Sequence, residues 1–202
     1  METLINQSAT KALFTDLALL FEAEGRPGGD VAAEALRRHG GDPAVLSGKR
    51  TVLSDLVAEL LTRPGAMAAA VSAAAIMDQM PWHHSGLEDG RIRPDVALDM
   101  ITCELLGPTG MILAEGCRVG LFAQRPGQVY PSRHHAAEET FVMLSGTASW
   151  QAGDGSWWDA GPGDQIHHTS MISHRSNAGP EGFVAAWRWT GDIGRESYLL
   201  TG

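Results

Sequence analysis

The residues best suited to chemistry lie in the segment YPSRHHAAEETFVMLSG (130–146), which holds two histidines and two glutamates within six consecutive positions. Side chains alternate between the two faces of an extended strand. His135 and Glu139 therefore share one face if no bulge intervenes, while His134 and Glu138 share the other. One imidazole and one carboxylate supply two ligands for a metal ion, so a third ligand must come from elsewhere.

The best candidate for the third ligand lies about 35 residues further along, in GPGDQIHHTSMISHRSN (161–177). Pro162, Gly163 and Asp164 are typical of a tight turn between strands. His174 follows after a short extended segment. The sequence thus offers a second histidine that a return strand can bring to the first pair.

The combined layout resembles the two cupin motifs, in which a glycine, an HxH pair, a glutamate and a second glycine are followed by PxG, histidine and asparagine. The matching residues are Gly127, His135, Glu139 and Gly146 in the first motif, and Gly161, Pro162, Gly163, His174 and Asn177 in the second. The resemblance implies a mainly β protein with the cupin double-stranded β-helix, a jelly-roll barrel.

Arg133 occupies the position at which the first cupin motif usually begins with histidine. The resemblance therefore implies a three-ligand site of His135, Glu139 and His174, which leaves coordination positions open and suits a catalytic ion. A local bulge that turns His134 inward would add a fourth ligand, and this alternative stays open. We expect one divalent transition metal ion, and iron, zinc, manganese, cobalt and nickel all accept such ligands.

A narrower resemblance is to the cupin-type dimethylsulfoniopropionate lyases. It is carried by the runs YPSRHHAAEETFVMLSG, HHTSMISHRSN and AAWRWTGDI and covers roughly residues 81–193, while the helical region before them is similar in outline. The resemblance implies that His135, Glu139 and His174 hold a divalent metal. It also implies that Tyr130 lies in the substrate pocket and that Trp189 lines it.

The reaction implied by this resemblance is the elimination of dimethyl sulfide from dimethylsulfoniopropionate, which leaves acrylate. The substrate carboxylate binds the metal, the neighbouring C–H bond becomes more acidic, and a base removes this α-proton. A sulfonium cation suits an aromatic surround, so Trp189 and Trp187, with Trp82 as a further candidate, are predicted cation–π partners. Phe141 and Arg133 complete the predicted substrate-binding residues.

The motifs do not identify the base. The lyases carry a tyrosine two residues after the metal-binding glutamate, where this chain has Phe141. Phenylalanine can neither bind a metal nor accept a proton. We predict that Tyr130 acts instead, as base or as substrate-orienting group, because a nearby metal lowers the pKa of a phenol. The only other tyrosine, Tyr198, is the alternative base.

Helical spacing dominates the first eighty residues. In residues 8–23, Leu13 and Leu17 recur on one face, and Gly25 ends the pattern. Three further helices are predicted in VAAEALRRHG, in VLSDLVAELL and in the alanine-rich residues 66 to about 78. We therefore predict an N-terminal helical region over residues 1–80 that packs on the barrel. A homodimer to which this helical layer contributes is a further hypothesis.

Residues 81–202 are predicted to form the cupin barrel. Short runs rich in β-branched and aromatic residues alternate there with turn signals, which is typical of an antiparallel sandwich or barrel. The predicted strands include VGLFAQ, TFVML, TASWQ and FVAAWRW, with the dipeptide SG as the turn between TFVML and TASWQ.

Composition argues against several classes of protein. The formal net charge is −9 and basic residues form only short pairs, so no nucleic-acid partner is expected. The most apolar segment, AMAAAVSAAAIM, is too short and too alanine-rich to span a membrane, and the N-terminus lacks the pattern of a secretory signal. Cys103 and Cys117 form no CxxC motif. We expect a cytoplasmic protein that acts on a small zwitterionic or carboxylate substrate.

Two other functions fit the same fold. A site with two histidines and one carboxylate also suits another metal-dependent cupin enzyme, an oxygenase or an isomerase, because fold and metal do not determine the reaction. A non-catalytic ligand-binding cupin is the second alternative.

Some of the polar residues also have simpler interpretations. The pairs His83-His84 and His167-His168 are typical of solvated loop histidines, with a place at the rim of a pocket left open. Arg133 has a second interpretation as an exposed ion pair with Glu138, which would contribute little to stability.

Overall fold

The computed structural model describes residues 2–44, 51, 53–84 and 94–201, with side chains from residue 7 onward. Its helices are α1 (Glu2–Glu22), α2 (Pro27–His39), α3 (Ser54–Thr62), α4 (Ala68–Ala74), a 3₁₀ turn (Met77–Gln79) and α5 (Pro94–Ala97). Its strands are β1 (His83–His84), β2 (Met100–Gly107), β3 (Ile112–Leu113), β4 (Cys117–Gln124), β5 (Val129–His134), β6 (Ala137–Ala152), β7 (Trp158–Ala160), β8 (Gln165–His168), β9 (His174–Gly191) and β10 (Leu199–Leu200).

Helix α1 buries the apolar stripe that the sequence predicts. Leu13, Leu17 and Phe21 recur every four residues with Phe14 beside them, and all are buried. The helix begins six residues before the predicted start and ends ahead of Gly25. The φ of Gly25 is 63°, in the left-handed region that glycine adopts without a steric penalty.

The next three predicted helices are present with altered ends. Helix α2 begins with Pro27, whose missing N–H costs nothing at the first helical position. Val52, the first residue of the predicted VLSDLVAELL helix, lies outside the described residues, and α3 begins at Ser54. Helix α4 ends at Ala74 instead of continuing to about residue 78. The chain then tightens into the 3₁₀ turn, whose Met77 carbonyl accepts a hydrogen bond from the Trp82 indole at 3.2 Å.

The strands form one curled sheet with β9 at its centre. The path runs β1-β2-β4-β9-β5-β10, and β6 pairs with β7, β8 and β9. Strands β6 and β9 form an antiparallel pair that runs from Ala137 opposite Gly191 to Ala152 opposite His174. The mainly β class, with a cupin double-stranded β-helix preceded by α-helices, is confirmed.

The predicted turn at Ser145-Gly146 is wrong, because both residues lie inside the continuous strand β6. The pairing of β6 with β9 shifts register on each side of Gly146, whose φ is 78°. A Cβ atom at this position would lie 2.1 Å from the Gly182 carbonyl oxygen. Glycine here permits a bulge and a close backbone approach rather than a reversal of the chain.

The helices pack on the outside of the sheet. One apolar cluster contains residues of all four helices α1–α4 and outward-facing strand residues such as Val142 and Val184. A second cluster fills the barrel around Trp150 and Phe183. The side chain of Glu24, just after α1, is fully buried and forms an ion pair with Arg188 of β9 at 2.7 Å. This agrees with a helical layer that covers part of the barrel, although the boundary at residue 80 and the homodimer stay predictions.

Among the described residues, no helix is long and apolar enough to cross a membrane.

Candidate metal centre and adjoining pocket

Three predicted ligands meet inside the barrel. His135 lies between β5 and β6, Glu139 is the third residue of β6, and His174 begins β9. Glu139 Oε2 lies 3.4 Å from His135 Nε2 and 3.2 Å from His174 Nε2. All three side chains are buried, and their ligand atoms lie within 4.8 Å of one another. His135 and Glu139 do face each other as predicted, but His135 lies in the break between β5 and β6, so no single continuous strand joins the two residues.

Local hydrogen bonds orient both imidazoles. His135 Nδ1 lies 3.1 Å from the Ala137 carbonyl oxygen, and His174 Nδ1 lies 3.0 Å from that of Ile172. A carbonyl only accepts, so each Nδ1 carries the proton, and each Nε2 is left as a lone-pair donor facing Glu139. This is the tautomer that a histidine needs in order to bind a metal through Nε2.

Glu139 is oriented from the other side by a tryptophan. The Trp189 indole Nε1 donates a hydrogen bond to Glu139 Oε1 at 2.6 Å, and the two residues lie opposite each other on β9 and β6. Glu139 Oε2 is thereby left facing the two histidines. The indole acts as an outer hydrogen-bond partner of the kind that fixes the geometry of a ligating carboxylate.

These residues fit a divalent metal ion. His135 Nε2, His174 Nε2 and Glu139 Oε2 are buried and have no hydrogen-bond partner, which is costly unless another group satisfies them. Burial alone raises the pKa of Glu139, but the surrounding imidazoles, His135 foremost, favour its charged form and hold that pKa well below its usual value. Burial, with Arg133 nearby, lowers the pKa of His174 to about 3. A carboxylate and a neutral imidazole are the ligating forms of these groups.

His168 belongs to the same cluster, so its interpretation as a solvated loop histidine is wrong. It ends strand β8, is 1% exposed, and has its Nδ1 atom 3.5 Å from Glu139 Oε2. Its ring stacks on His174 with centroids 4.0 Å apart. The neighbouring His167 points to the outer face and contacts the Thr140 hydroxyl at 3.1 Å. Adjacent residues of a strand point to opposite faces, so one of the two histidines must face inward. Only the pairing of β8 with β6 shows that it is His168.

His134 lies outside this cluster. It is the last residue of β5 and pairs with Leu199 of β10. The irregularity in the pairing of β5 with β9 falls between Tyr130 and Arg133, which is before His134. In the described pairing of β5, no bulge occurs at His134 that would turn its side chain toward the ion.

A pocket of about 310 Å³ opens beside the ligand cluster. Its aromatic lining comprises Phe122, Tyr130, Phe141, Trp187, Trp189 and Tyr198, and its other lining residues include His83, Arg118, Arg133 and Arg195. The predicted substrate-binding residues Trp189, Trp187, Phe141 and Arg133 therefore all border one space. Trp82 instead packs in the apolar cluster beneath the helices, because its indole bonds to the 3₁₀ turn.

The two tyrosines of the chain meet at this pocket. Their hydroxyl oxygens lie 2.6 Å apart, and the Tyr198 ring stacks nearly parallel to His135, with centroids 5.9 Å apart. Burial raises the pKa of both phenols, and the charge of Arg133 acts on each in the opposite direction. No sequence pattern predicts the position of Tyr198, which comes from the C-terminal segment after β9.

Arg133 is buried, so the exposed ion pair with Glu138 is wrong. Arg133 is 2% exposed and its guanidinium carbon lies 3.6 Å from the centre of the Tyr130 ring. Its Nη2 atom is buried without a hydrogen-bond partner. Glu138 instead bonds to Arg188 at 2.9 Å on the outer face of the barrel. The alternation that sends Glu138 outward also separates it from Arg133.

A second polar group at the pocket, Glu104 with Arg118 and Arg195, has no signal in the sequence. Glu104 accepts hydrogen bonds at 2.8 Å from both Arg118 and Arg195. Arg118 also donates to the Ile193 carbonyl at 3.0 Å, which ties the C-terminal segment to the barrel. These residues lie far apart in the chain, and no spacing pattern connects them.

The sequence matches the family model for dimethylsulfoniopropionate lyase over residues 34–185. Dimethylsulfoniopropionate lyase DddQ of Ruegeria pomeroyi is 28% identical over 97 residues, which are 48% of this chain and 48% of that protein. The chain spans about half the length of the curated relatives that it matches.

Solved structures show the same fold across almost the whole chain. The crystal structure of DddQ from Ruegeria pomeroyi superposes with a TM-score of 0.68 at 22% identity, covering 94% of this chain and 96% of that one. A structure from a study of the lyases RdDddP and RnDddQII also gives a TM-score of 0.68, at 19% identity, with 96% and 100% covered.

Proposed function

Because the chain belongs to the dimethylsulfoniopropionate lyase family, we propose that it is a metal-dependent carbon–sulfur lyase that cleaves dimethylsulfoniopropionate, or a close analogue, to dimethyl sulfide and acrylate. The observation that carries this proposal is the buried cluster of His135, Glu139 and His174 directly beside an aromatic pocket with two tyrosine hydroxyls.

The three cluster residues hold one divalent transition metal in this proposal. A bound ion would supply Lewis acidity to the substrate carboxylate and so make the adjacent Cα–H bond more acidic. Arg133 adds positive charge at the pocket, and Arg118 and Arg195 leave a net positive charge after their shared ion pair with Glu104. Their charge favours the carboxylate end of a zwitterion over a substrate that is only cationic.

The sulfonium end then lies against the tryptophans. Trp187 and Trp189 meet edge to face with ring centroids 6.1 Å apart, and Trp187 is oriented by a hydrogen bond of 3.2 Å to the Thr102 hydroxyl. An aromatic face attracts a cation without forming a strong ion pair. The neutral dimethyl sulfide product loses this attraction, so it leaves the pocket readily.

Tyr130 is the proposed base. Its phenolate oxygen takes the α-proton, the C–H electron pair becomes the second Cα–Cβ bond, and the C–S bond breaks with its electrons on sulfur. Tyr198 donates a hydrogen bond to Tyr130 across 2.6 Å and stabilises the phenolate, and the Arg133 charge above the Tyr130 ring acts in the same direction.

A headspace assay for dimethyl sulfide tests this proposal. The metal-loaded full chain is compared with Tyr130→Phe and with Phe141→Tyr. We expect release from the wild type, a loss of at least about 100-fold in Tyr130→Phe, and no loss in Phe141→Tyr. A wild type that releases no gas contradicts the substrate, and full activity in Tyr130→Phe contradicts the assigned base.

A non-catalytic binding protein is the second candidate. Phe141, which packs against Trp150 with ring centroids 4.9 Å apart, provides an apolar wall with no proton acceptor. Saturable binding of the substrate by calorimetry, without release of dimethyl sulfide, would support this function over the lyase.

A further inference from the structure

We propose that His168 is a fourth protein ligand of the metal, so that the centre has three imidazoles and one carboxylate. This inference rests on the part of the proposed function that assigns a metal to the buried cluster. It does not depend on which reaction the protein catalyses.

The position of His168 follows from the pairing of β8 with β6. His168 lies directly opposite Glu139 in this antiparallel pair, and Trp189 lies opposite Glu139 on the other side, in β9. Residues opposite each other on neighbouring strands point to the same face. Glu139 therefore has a histidine on one flank and its orienting tryptophan on the other.

Three nitrogen atoms surround Glu139 Oε2 at similar distances. They are His135 Nε2 at 3.4 Å, His168 Nδ1 at 3.5 Å and His174 Nε2 at 3.2 Å. Ligands about 2.1 Å from one tetrahedral ion are separated by about 3.4 Å. The distance from His168 to the carboxylate is thus that of two ligands on one ion. His168 does not belong to the group whose ligand atoms all lie within 4.8 Å of one another, so its ring must move to complete the coordination sphere.

Neither ring nitrogen of His168 has a hydrogen-bond partner, although both are buried. Phe141 and Trp150 lie against the ring, at centroid distances of 6.2 and 5.8 Å. A buried imidazole among aromatic rings loses its hydration without compensation. Coordination of an ion compensates for that loss at one nitrogen.

His168 and His174 stack with their planes 14° apart, so their in-plane lone pairs run nearly parallel instead of converging. Ligation therefore requires His168 to rotate about χ2, a torsion with a broad energy minimum in histidine. No hydrogen bond opposes that rotation. The neighbouring Arg133 and Phe141 offer no ligand atom.

The test counts ligating imidazoles by proton NMR of the cobalt(II)-loaded full-length protein. Each ligating histidine contributes one exchangeable, hyperfine-shifted ring N–H signal that disappears in deuterium oxide. We expect three such signals in the wild type, two in His168→Asn, and three in the matched control His167→Asn. The wild-type count decides by itself if a variant fails to fold.

Two signals in the wild type, or an unchanged count in folded His168→Asn, would overturn the inference and leave His168 as an outer-shell histidine. Failure of the wild type to bind cobalt would overturn both this inference and the metal site of the proposed function. A silent headspace assay with three signals present would contradict only the lyase activity and would uphold the ligand assignment.

Discussion

At the scale of single residues, short-range hydrogen bonds decide which atom of each ligand is free. The carbonyls that accept from His135 and His174 each lie only two residues away along the chain. Glu139 depends instead on Trp189, which a different strand supplies. The two histidines are therefore oriented by their own turns, whereas the carboxylate depends on the register of β6 with β9.

Replacing Trp189 with phenylalanine should weaken metal binding. The ring is kept, but Glu139 Oε1 loses its donor, and loss of an outer hydrogen bond of this kind costs about 10-fold or more in metal affinity. Competition with a chelator measures the effect. Trp187→Phe is the matched control, because its indole bonds to Thr102 rather than to a ligand; an equal loss in both variants would contradict the role of Trp189.

The sequence predicts that His135, Glu139 and His174 come together because the spacing of the two motifs is a local pattern. It does not predict the burial of His168 or of Arg133. A paired histidine such as His167-His168 places one ring on each face of a strand, and only the register with β6 selects which one is inside. Arg133 makes a cation–π contact with the Tyr130 ring, and no pattern of residue spacing predicts such a contact.

At the scale of elements, strand β6 differs most from its prediction. A serine and a glycine between two apolar runs are typical of a turn, yet the strand continues because β9 pairs on both sides of the bulge. Local turn preference is overridden by a long-range strand pairing. Such pairings cannot be derived from a segment by itself.

Replacing Gly146 with alanine should destabilise the fold by about 3 kcal/mol, since about 1–2 kcal/mol of left-handed strain adds to the displacement of a backbone oxygen. Gly127→Ala is the control. Gly127 also has a positive φ, 68°, but a Cβ there meets no atom within 4 Å, so only the strain should appear. Urea unfolding measures both variants, and equal losses would contradict the close approach at Gly146.

One buried carboxylate adds a polar link between the end of α1 and the barrel. Glu24 bonds to Arg188 through both of its oxygens, at 2.7 Å each, and accepts from the Thr140 hydroxyl at 2.5 Å. Arg188 also bonds to Glu138. The sequence shows Glu24 only as a charge after a helix, and its burial follows from helix packing on β6 and β9.

Replacing Glu24 with alanine should lower the free energy of unfolding by about 3 kcal/mol, because it leaves a buried guanidinium with too few partners. The control is Glu22→Ala, which removes a half-exposed carboxylate paired with Arg37 and should cost less than about 1 kcal/mol. Urea unfolding of the two variants gives the comparison. A loss at Glu24 no larger than at Glu22 would show that the buried pair does not hold α1 on the barrel.

At the scale of the whole molecule, the net charge of the chain and the charge of the pocket lining have opposite signs. The chain carries −9, but within the described residues three arginines and a single carboxylate, that of Glu139, line the pocket. Composition argues against a nucleic-acid partner, which stays a prediction, and it says nothing of the pocket, whose charges come from strands and from the C-terminal segment. The order of helices followed by strands was predictable from the change of periodicity near residue 80, since each period reflects one type of element, whereas the cupin barrel was implied by the motif resemblance.

The central claim is that this chain is a metal-dependent lyase. Its most direct test is a titration of the metal-free full chain with iron(II), zinc, manganese, cobalt or nickel, with dimethyl sulfide release from dimethylsulfoniopropionate measured at each step. We predict that release rises with added metal, saturates at one equivalent per chain for the active ions, and is absent from Glu139→Ala. Release that is unaffected by metal removal, or no release with any of these ions, would contradict the claim.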